Sequence, residues 1–396
     1  MNQSSSIHWE EGGQTCSAVW HSENGIAPHK KLVIADDTLT ADDAYHLACE
    51  GTAILWRGDF QNARQLLQAL VRRIDKPSKK SKRASKRVDP SSKTSQAPSP
   101  IDLFNKHRLI QSQRARVLGM LLIECNADHS IPLRRAPDVA IACLEAYGST
   151  SDPYVISMRE LLGVISAHEW RKNGVPVLAD EEGEPIFIYP HYGVFSPIRG
   201  EYLELVCSAP LPQALEAESL AFDIGTGTGV LSVILAMRGI NNIIATDLDG
   251  RALACAKENI ALLNLNSQVE IMKANLFPAG KATLIVCNPP WVPARPSSTL
   301  EHAVYDPDSQ MLKGFLDGLK NHLLPNGEGW LILSDLAEHL GLRSRQELLE
   351  WIDRADLKVI SRIDTKPKHS KPFDQSDLLY FARSAETTSL WRLAVK

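Results

Sequence analysis

From residue 220 onward the chain alternates short apolar runs with helix-length segments, and no other feature constrains its fold as strongly. The runs 220–224, 243–246, 269–272, 283–287, 330–334, 358–363 and 389–395 read as strands, and 230–238, 251–264, 308–324 and 345–353 as helices. Strands separated by connections of that length pair in parallel through crossovers, so the pattern predicts a doubly wound α/β sheet. The last run, 389–395, is expected as an antiparallel edge strand.

The first half has a different texture. Residues 41–55 and 60–74 carry apolar side chains at roughly i, i+3, i+4 spacing, with Thr40 and Asp59 placed as N-caps. Residues 103–124 continue in that style and present Arg108, Arg114 and Arg116 on one face. Residues 154–172 follow Pro153, which suits a first helical turn. A mainly helical N-terminal domain over 1–174 is expected. Inside it, 76–100 sets Lys76, Lys79, Lys80, Lys82, Arg83, Lys86, Arg87 and Lys93 against the single acid Asp89 among Ser and Pro. Such a stretch buries too little apolar surface to offset ordering entropy, so it reads as a disordered basic linker, or as an arm for RNA or an acidic partner. Residues 175–178 and 185–189 flank a turn and predict a β-hairpin that opens a connector over 175–216. The third domain then covers 217–396.

A length of 396 residues favours more than one domain, and 44% apolar with 23% charged residues describes an ordinary globular chain. The net charge of −4 gives no global attraction to nucleic acid. Seven cysteines are scattered without zinc-ligand spacing, so no metal is expected and the thiols read as reduced, in a cytoplasmic protein. The first ten residues have no apolar core and no run reaches 18 apolar residues, which argues against secretion and membrane spanning.

Asp223-Ile-Gly-Thr-Gly-Thr-Gly229 lies between a predicted strand and a predicted helix. Gly225, Gly227 and Gly229, with Thr226 between the first two, allow a tight turn and close approach of a ligand. The next strand ends in Asp247, about 20 residues on, where a carboxylate commonly meets ribose hydroxyls. The G-x-G-x-G spacing and the charge of Asp223 favour a cationic nucleoside such as S-adenosylmethionine (SAM) over a pyrophosphate.

The strand at 283–287 runs directly into Asn288-Pro-Pro-Trp291, at the edge where open α/β sheets hold ligands. An amide or aromatic amine nitrogen has a delocalised lone pair. The Asn288 side-chain oxygen and the Pro289 carbonyl can accept both of its N–H bonds and aim that lone pair, Pro290 adds stiffness, and Trp291 offers a face for stacking.

Asp223-x-Gly-x-Gly-x-Gly resembles the first motif of class I SAM-dependent methyltransferases. That likeness implies a Rossmann-like seven-stranded sheet, with the amino-acid end of SAM at the loop, its ribose on Asp247 and its adenine near Asn275; Leu248 and Leu276, beside these two, are further cofactor-binding candidates. The family usually has an acid where Asn275 stands. Asn-Pro-Pro-Trp is similar to the (N/D)PP(Y/F/W) motif of enzymes that methylate planar nitrogens: adenine N6, guanine N2 and glutamine amides. Within residues 186–340, the stretch 194–206, Asn288-Pro-Pro-Trp-Val-Pro293 and Tyr305-Asp-Pro307 resemble the HemK-like glutamine-N5 methyltransferases of peptide-chain release factors. That resemblance implies Asn288 at both cofactor and acceptor, Tyr192, Arg199 and Glu201 along the acceptor pocket, and a release-factor-like or ribosomal protein as partner. The helical half here is longer and carries the basic insertion. The alternative acceptor is an exocyclic amine of rRNA or another nucleic acid, served by the basic linker and the arginine face. A non-catalytic SAM binder and an NAD-dependent oxidoreductase are further readings, and nothing else in the chain resembles hydride-transfer machinery.

Overall fold

The computed structural model describes every residue except 1–4, 77–97, 180–181, 198–199, 297–300, 302 and 369–373. The chain forms two compact units, Met1–Ser166 and Ala167–Lys396. Among the described residues no helix is long and apolar enough to cross a membrane.

The first unit is not a helical bundle. It holds β1 (Ser6–Glu11), β2 (Gln14–Trp20), β3 (Leu32–Ala35), α1 (Ala41–Glu50), β4 (Ala53–Trp56), α2 (Phe60–Ile74), α3 (Pro100–Leu118), β5 (Leu121–Cys125), α4 (Ala140–Tyr147) and β6 (Tyr154–Ser157). These strands make one sheet in the order β1-β2-β6-β5-β4-β3, with β3, β4 and β5 parallel. The helical expectation failed because β4, β5 and β6 are buried runs of four or five residues abutting true helices. Periodicity alone cannot separate so short a run from one more helical turn. The caps hold: Thr40 accepts from Asp43 N at 3.2 Å and Asp59 from Gln61 N at 2.8 Å. Helix α3 starts with a capping box on Ser99 and Pro100 at its first turn. Most of the basic linker lies outside the described residues.

In the second unit α5 (Met158–Asn173) enters from the first, so the boundary falls inside a helix and not at residue 174. The predicted hairpin is present as β7 (Val175–Ala179) against β8 (Pro185–Ile188). There follow α6 (Glu201–Ser208), β9 (Leu220–Ile224), α7 (Val230–Met237), β10 (Asn242–Asp247), α8 (Gly250–Leu262), β11 (Val269–Lys273), β12 (Ala282–Cys287), α9 (Gln310–His322), β13 (Leu323–Ser334), α10 (Arg345–Arg354), β14 (Leu357–Thr365) and β15 (Thr388–Val395). The sheet order is β11-β10-β9-β12-β13-β15-β14, parallel from β11 to β13. The last strand is antiparallel as expected, but it lies inside the sheet and β14 forms the edge. Burial accounts for this: Thr388–Trp391 is wholly buried, whereas beyond Leu357 every residue of β14 is at least partly exposed.

Helices cover both faces. On one, Leu203 of α6 and Leu231 and Ile234 of α7 pack on Val286 and Ile332; on the other, Leu312 and Phe315 of α9 and Leu348 of α10 pack on Ile285 and Leu331. Because Ile188 and Leu203 share a core with α7, the segment 175–216 is part of this unit and not a separate connector domain.

In the first unit, Asp59 Oδ2 also accepts Arg135 Nε at 2.6 Å and Arg134 Nε at 3.1 Å. Chiefly the Arg135 guanidinium, with the Gln61 amide and Arg134, holds this carboxyl down at about 2 against its ordinary 3.8. A depressed carboxyl stabilises the fold fully above the unfolded value and loses that contribution as pH falls through the folded one. Asp59→Asn is therefore expected to lower the Tm at neutral pH, with the gap closing on acidification. A gap that stays constant into acid would refute this role.

Candidate active site

The C-terminal edge of β9, β10 and β12 gathers most of the residues that the sequence singles out. Gly225 N and Thr226 N both donate to Thr246 O at 2.9 Å, folding the turn onto the end of β10. Gly225, Gly227 and Gly229 have φ of +71°, +57° and +83°. At Gly227 an added Cβ would meet nothing within 4 Å, so the loop shows an open face there; at Gly229 it would lie 3.3 Å from Ala256 Cβ, where α7 packs on α8.

Asp223 is fully buried under this loop. Its Oδ2 accepts from Thr226 Oγ1 at 2.7 Å, Ser232 Oγ at 2.6 Å and Ser232 N at 3.1 Å, while Oδ1 has no hydrogen-bond partner. Burial pushes this carboxyl up, opposed by the Ser232 and Thr226 hydrogen bonds. The residue thus secures the turn from below.

Asp247 caps β10, accepting Gly227 N at 3.1 Å and Asp249 N at 2.9 Å. Burial pushes its carboxyl up as well, and those amides act against the shift. The next side chain, Leu248, is 56% exposed, an apolar surface beside a polar acceptor. Asn275 is exposed nearby, on a segment anchored by Ala274 N to Asp247 O at 3.3 Å and by Thr246 Oγ1 to Leu276 O at 2.6 Å. Leu276 has φ +66°, and its side chain reaches α9, where a Cβ on Gly314 would meet its Cδ1 at 2.7 Å. It packs against that helix.

In the β9–β12 register Cys287 pairs with Ile224, so Asn288 and Gly225 leave neighbouring strands at the same level. The chemical motif and the glycine loop are therefore side by side. Trp291 Nε1 donates to Asn288 Oδ1 at 2.9 Å. An indole nitrogen only donates, so this contact fixes which end of the amide is oxygen and leaves Oδ1 one further lone pair. Pro289 is buried and Pro290 half-buried. The Trp291 ring packs partly against both core clusters, so it is less free for stacking than an exposed ring.

Sequence reasoning did not foresee how the motif is held. Val292 bridges to Tyr305, Asp306 N donates to Val292 O at 2.9 Å, and buried Asp306 accepts Met311 N at 3.0 Å and Leu312 N at 3.1 Å at the start of α9. Burial pushes its carboxyl up. An acid followed by Pro307 was the available signal. Asp308 and Ser309 follow with φ of 55° each, a conformation uncommon for side-chain-bearing residues. Tyr192 lies beneath the Arg251 guanidinium, 5.9 Å from the ring centre; Arg199 lies outside the described residues. Glu201 is buried and accepts Lys368 N at 2.7 Å.

An open glycine loop, two acidic groups, a buried carboxylate oxygen lacking a partner and an exposed Leu248 could together hold a nucleoside with a cationic end. Residues 205–289 match the family model described as ribosomal protein L11 methyltransferase (PrmA). The chain is similar to the ribosomal protein L11 methyltransferase of Clostridium perfringens (31% identity over 140 residues, 31% of this chain and 44% of that protein). It is also similar to the tRNA1(Val) (adenine(37)-N6)-methyltransferase of Shewanella putrefaciens (28% over 162 residues, 38% and 66%). Among solved structures, ribosomal protein L11 methylase from Lactobacillus delbrueckii subsp. bulgaricus aligns with TM-score 0.33 at 17% identity, covering 49% of this chain and 76% of that one. The chain spans less than half the length of the L11 methyltransferase relative. The second unit has the fold of the class I SAM-dependent methyltransferases, and SAM is the cofactor of that class.

If Asp247 is the acceptor for ligand hydroxyls, these favour its ionised form, and SAM binding is then expected to weaken as pH falls through the raised value of this group. Asp247→Ala should weaken SAM by at least about tenfold and flatten that pH dependence. Calorimetry giving unchanged affinity would remove Asp247 from the site.

Proposed function

We propose that this chain is a SAM-dependent N-methyltransferase acting on a planar amide or amine nitrogen, with a glutamine side chain of a protein as acceptor. The observation that carries the reading is Asn288: it adjoins the glycine loop through the β9–β12 register and has its oxygen oriented by Trp291. SAM supplies an electrophilic methyl group on a sulfonium. The chain's own part is to hold the acceptor. Asn288 Oδ1 would take one N–H with its remaining lone pair and the Pro289 carbonyl the other, so that the nitrogen lone pair, which stands perpendicular to the amide plane, is drawn out of conjugation and faces the methyl group. One of the two N–H protons leaves to solvent as the N–C bond forms. Asp247 holds the ribose, and Gly225, Thr226, Gly227 and Gly229 with Asp223 accommodate the amino-acid end. Leu248 and Asn275 flank the adenine, and Tyr192 and Arg199 belong to the acceptor side.

A second acceptor class is an exocyclic amine of RNA, supported by the similarity to a tRNA adenine-N6 methyltransferase. The arginine face adds less to it than its composition suggests, because Arg114 pairs with Asp75 and Arg116 reaches Cys49 O at 3.5 Å. A cytoplasmic location fits either acceptor.

Asn288→Ala is expected to nearly abolish methyl transfer while leaving SAM binding close to normal; turnover at the wild-type level would sink the assignment. The label is followed from SAM into extract of cells lacking the enzyme, and the product is treated with protease or nuclease. Protease-sensitive label supports the protein acceptor, and nuclease-sensitive label moves the assignment to RNA. Trp291→Phe keeps a ring but loses the donor, so kcat should fall about tenfold with SAM affinity unchanged, the effect of one oriented hydrogen bond. An unchanged kcat would show that the indole N–H does not orient Asn288.

A further inference from the structure

Helix α8 carries a row of side chains that all reach the segment following the hairpin. Arg251 lies over Tyr192, and a Cβ on Gly193 (φ +82°) would come within 2.9 Å of its Nη1. Cys255 and Ala252 pack on Val194, and Cys255 Sγ accepts His191 N at 3.4 Å. Glu258 Oε2 meets His191 Nε2 at 2.8 Å and Arg171 Nη2 at 2.7 Å. Positions 251, 255, 258 and 259 recur at helical spacing and so share one face.

The last of these, Asn259, is completely buried. Its Oδ1 accepts Tyr189 N at 2.8 Å, and its Nδ2 donates to Thr228 O at 3.0 Å, with Tyr189 O at 3.4 Å and Cys255 Sγ at 3.5 Å also in reach. Thr228 sits inside the glycine loop, next to the open face at Gly227. One side chain thus joins the acceptor-side segment to the cofactor loop. A side-chain amide accepts at one end and donates at the other whatever the pH, and a buried polar group left without partners is costly.

We propose that Asn259 is a positioning residue that couples the cofactor loop to residues 189–194, so that a ligand on the loop also stiffens the acceptor-side segment. This rests on the SAM reading given above. A ligand that orders Thr228 holds its carbonyl on Nδ2, and the same amide then holds Tyr189 through Oδ1. Asn259→Asp separates the two halves: the carboxylate still accepts Tyr189 N, but it faces the Thr228 carbonyl with an acceptor in place of a donor.

The test uses the full chain and S-adenosylhomocysteine, with affinity from calorimetry and backbone hydrogen exchange at Tyr189 and in the loop, with and without ligand. In the wild type, ligand should slow exchange at Tyr189 as well as in the loop. In Asn259→Asp, checked for folding by its thermal transition, affinity should fall about tenfold and ligand should no longer slow exchange at Tyr189. A merely structural role would lower the Tm and leave both ligand responses intact, and that result overturns the proposal. Should the variant not fold, the wild-type measurement decides alone: protection of the loop without protection of Tyr189 overturns the coupling. A wild-type chain that binds no S-adenosylhomocysteine overturns the cofactor reading and the coupling with it; normal binding with unlinked responses overturns the coupling only.

Discussion

One buried carboxylate oxygen, Oδ2 of Asp223, gathers three donors from the turn and the first turn of the following helix. Burying a carboxylate is expensive unless hydrogen bonds compensate, and here they come from Thr226 and Ser232. This anchor sets where β9 stops and α7 begins, and with it the path of the glycines between. Asp247 then reaches the same loop through Gly227 N, so two neighbouring strands contribute an acid each to one turn. The strand register carries the arrangement sideways to Asn288 on β12.

The motif after β12 has its own support. Backbone pairing of Val292 with the Val304–Asp306 stretch and the Asp306 carboxylate on the first amides of α9 tie a long loop to a rigid helix. Such support from behind is what holds a polar constellation in a single geometry. The Trp291–Asn288 contact adds orientation at the front. Two successive side-chain-bearing residues in the left-handed region, Asp308 and Ser309, mark where the chain must turn sharply to make this connection.

How much of this was legible depended on period and length. The parallel strands of the second unit are bounded by helices with clear apolar faces, so each was found within a residue or two, except β13, which begins well before residue 330. The glycine loop, Asp247 and Asn-Pro-Pro-Trp were legible because their chemistry demands particular residue types at fixed places. In the first unit the strands are four to seven residues long. Several sit directly against a helix, as Tyr154–Ser157 does against Met158, and their apolar residues were absorbed into the helical pattern. Ser232 and Asn259 escaped notice for a different reason. Each acts through a partner distant in sequence or through backbone groups, and a polar residue within an otherwise ordinary segment carries no local mark of that role.

The position of β15 has a consequence for how the sheet is completed. Strand β14 is made before β15, yet among the described residues its one neighbour in the sheet is β15, while β13 waits for the same strand on its other side. Residues 388–395 are therefore a keystone that must be inserted between two strands already synthesised, closing ladders on both sides at once. Until they are made, β13 presents an unsatisfied edge and β14 has no sheet to join. The far side of the fold can assemble first, but this side must wait for its last strand, with an edge open to misplaced pairing in the meantime.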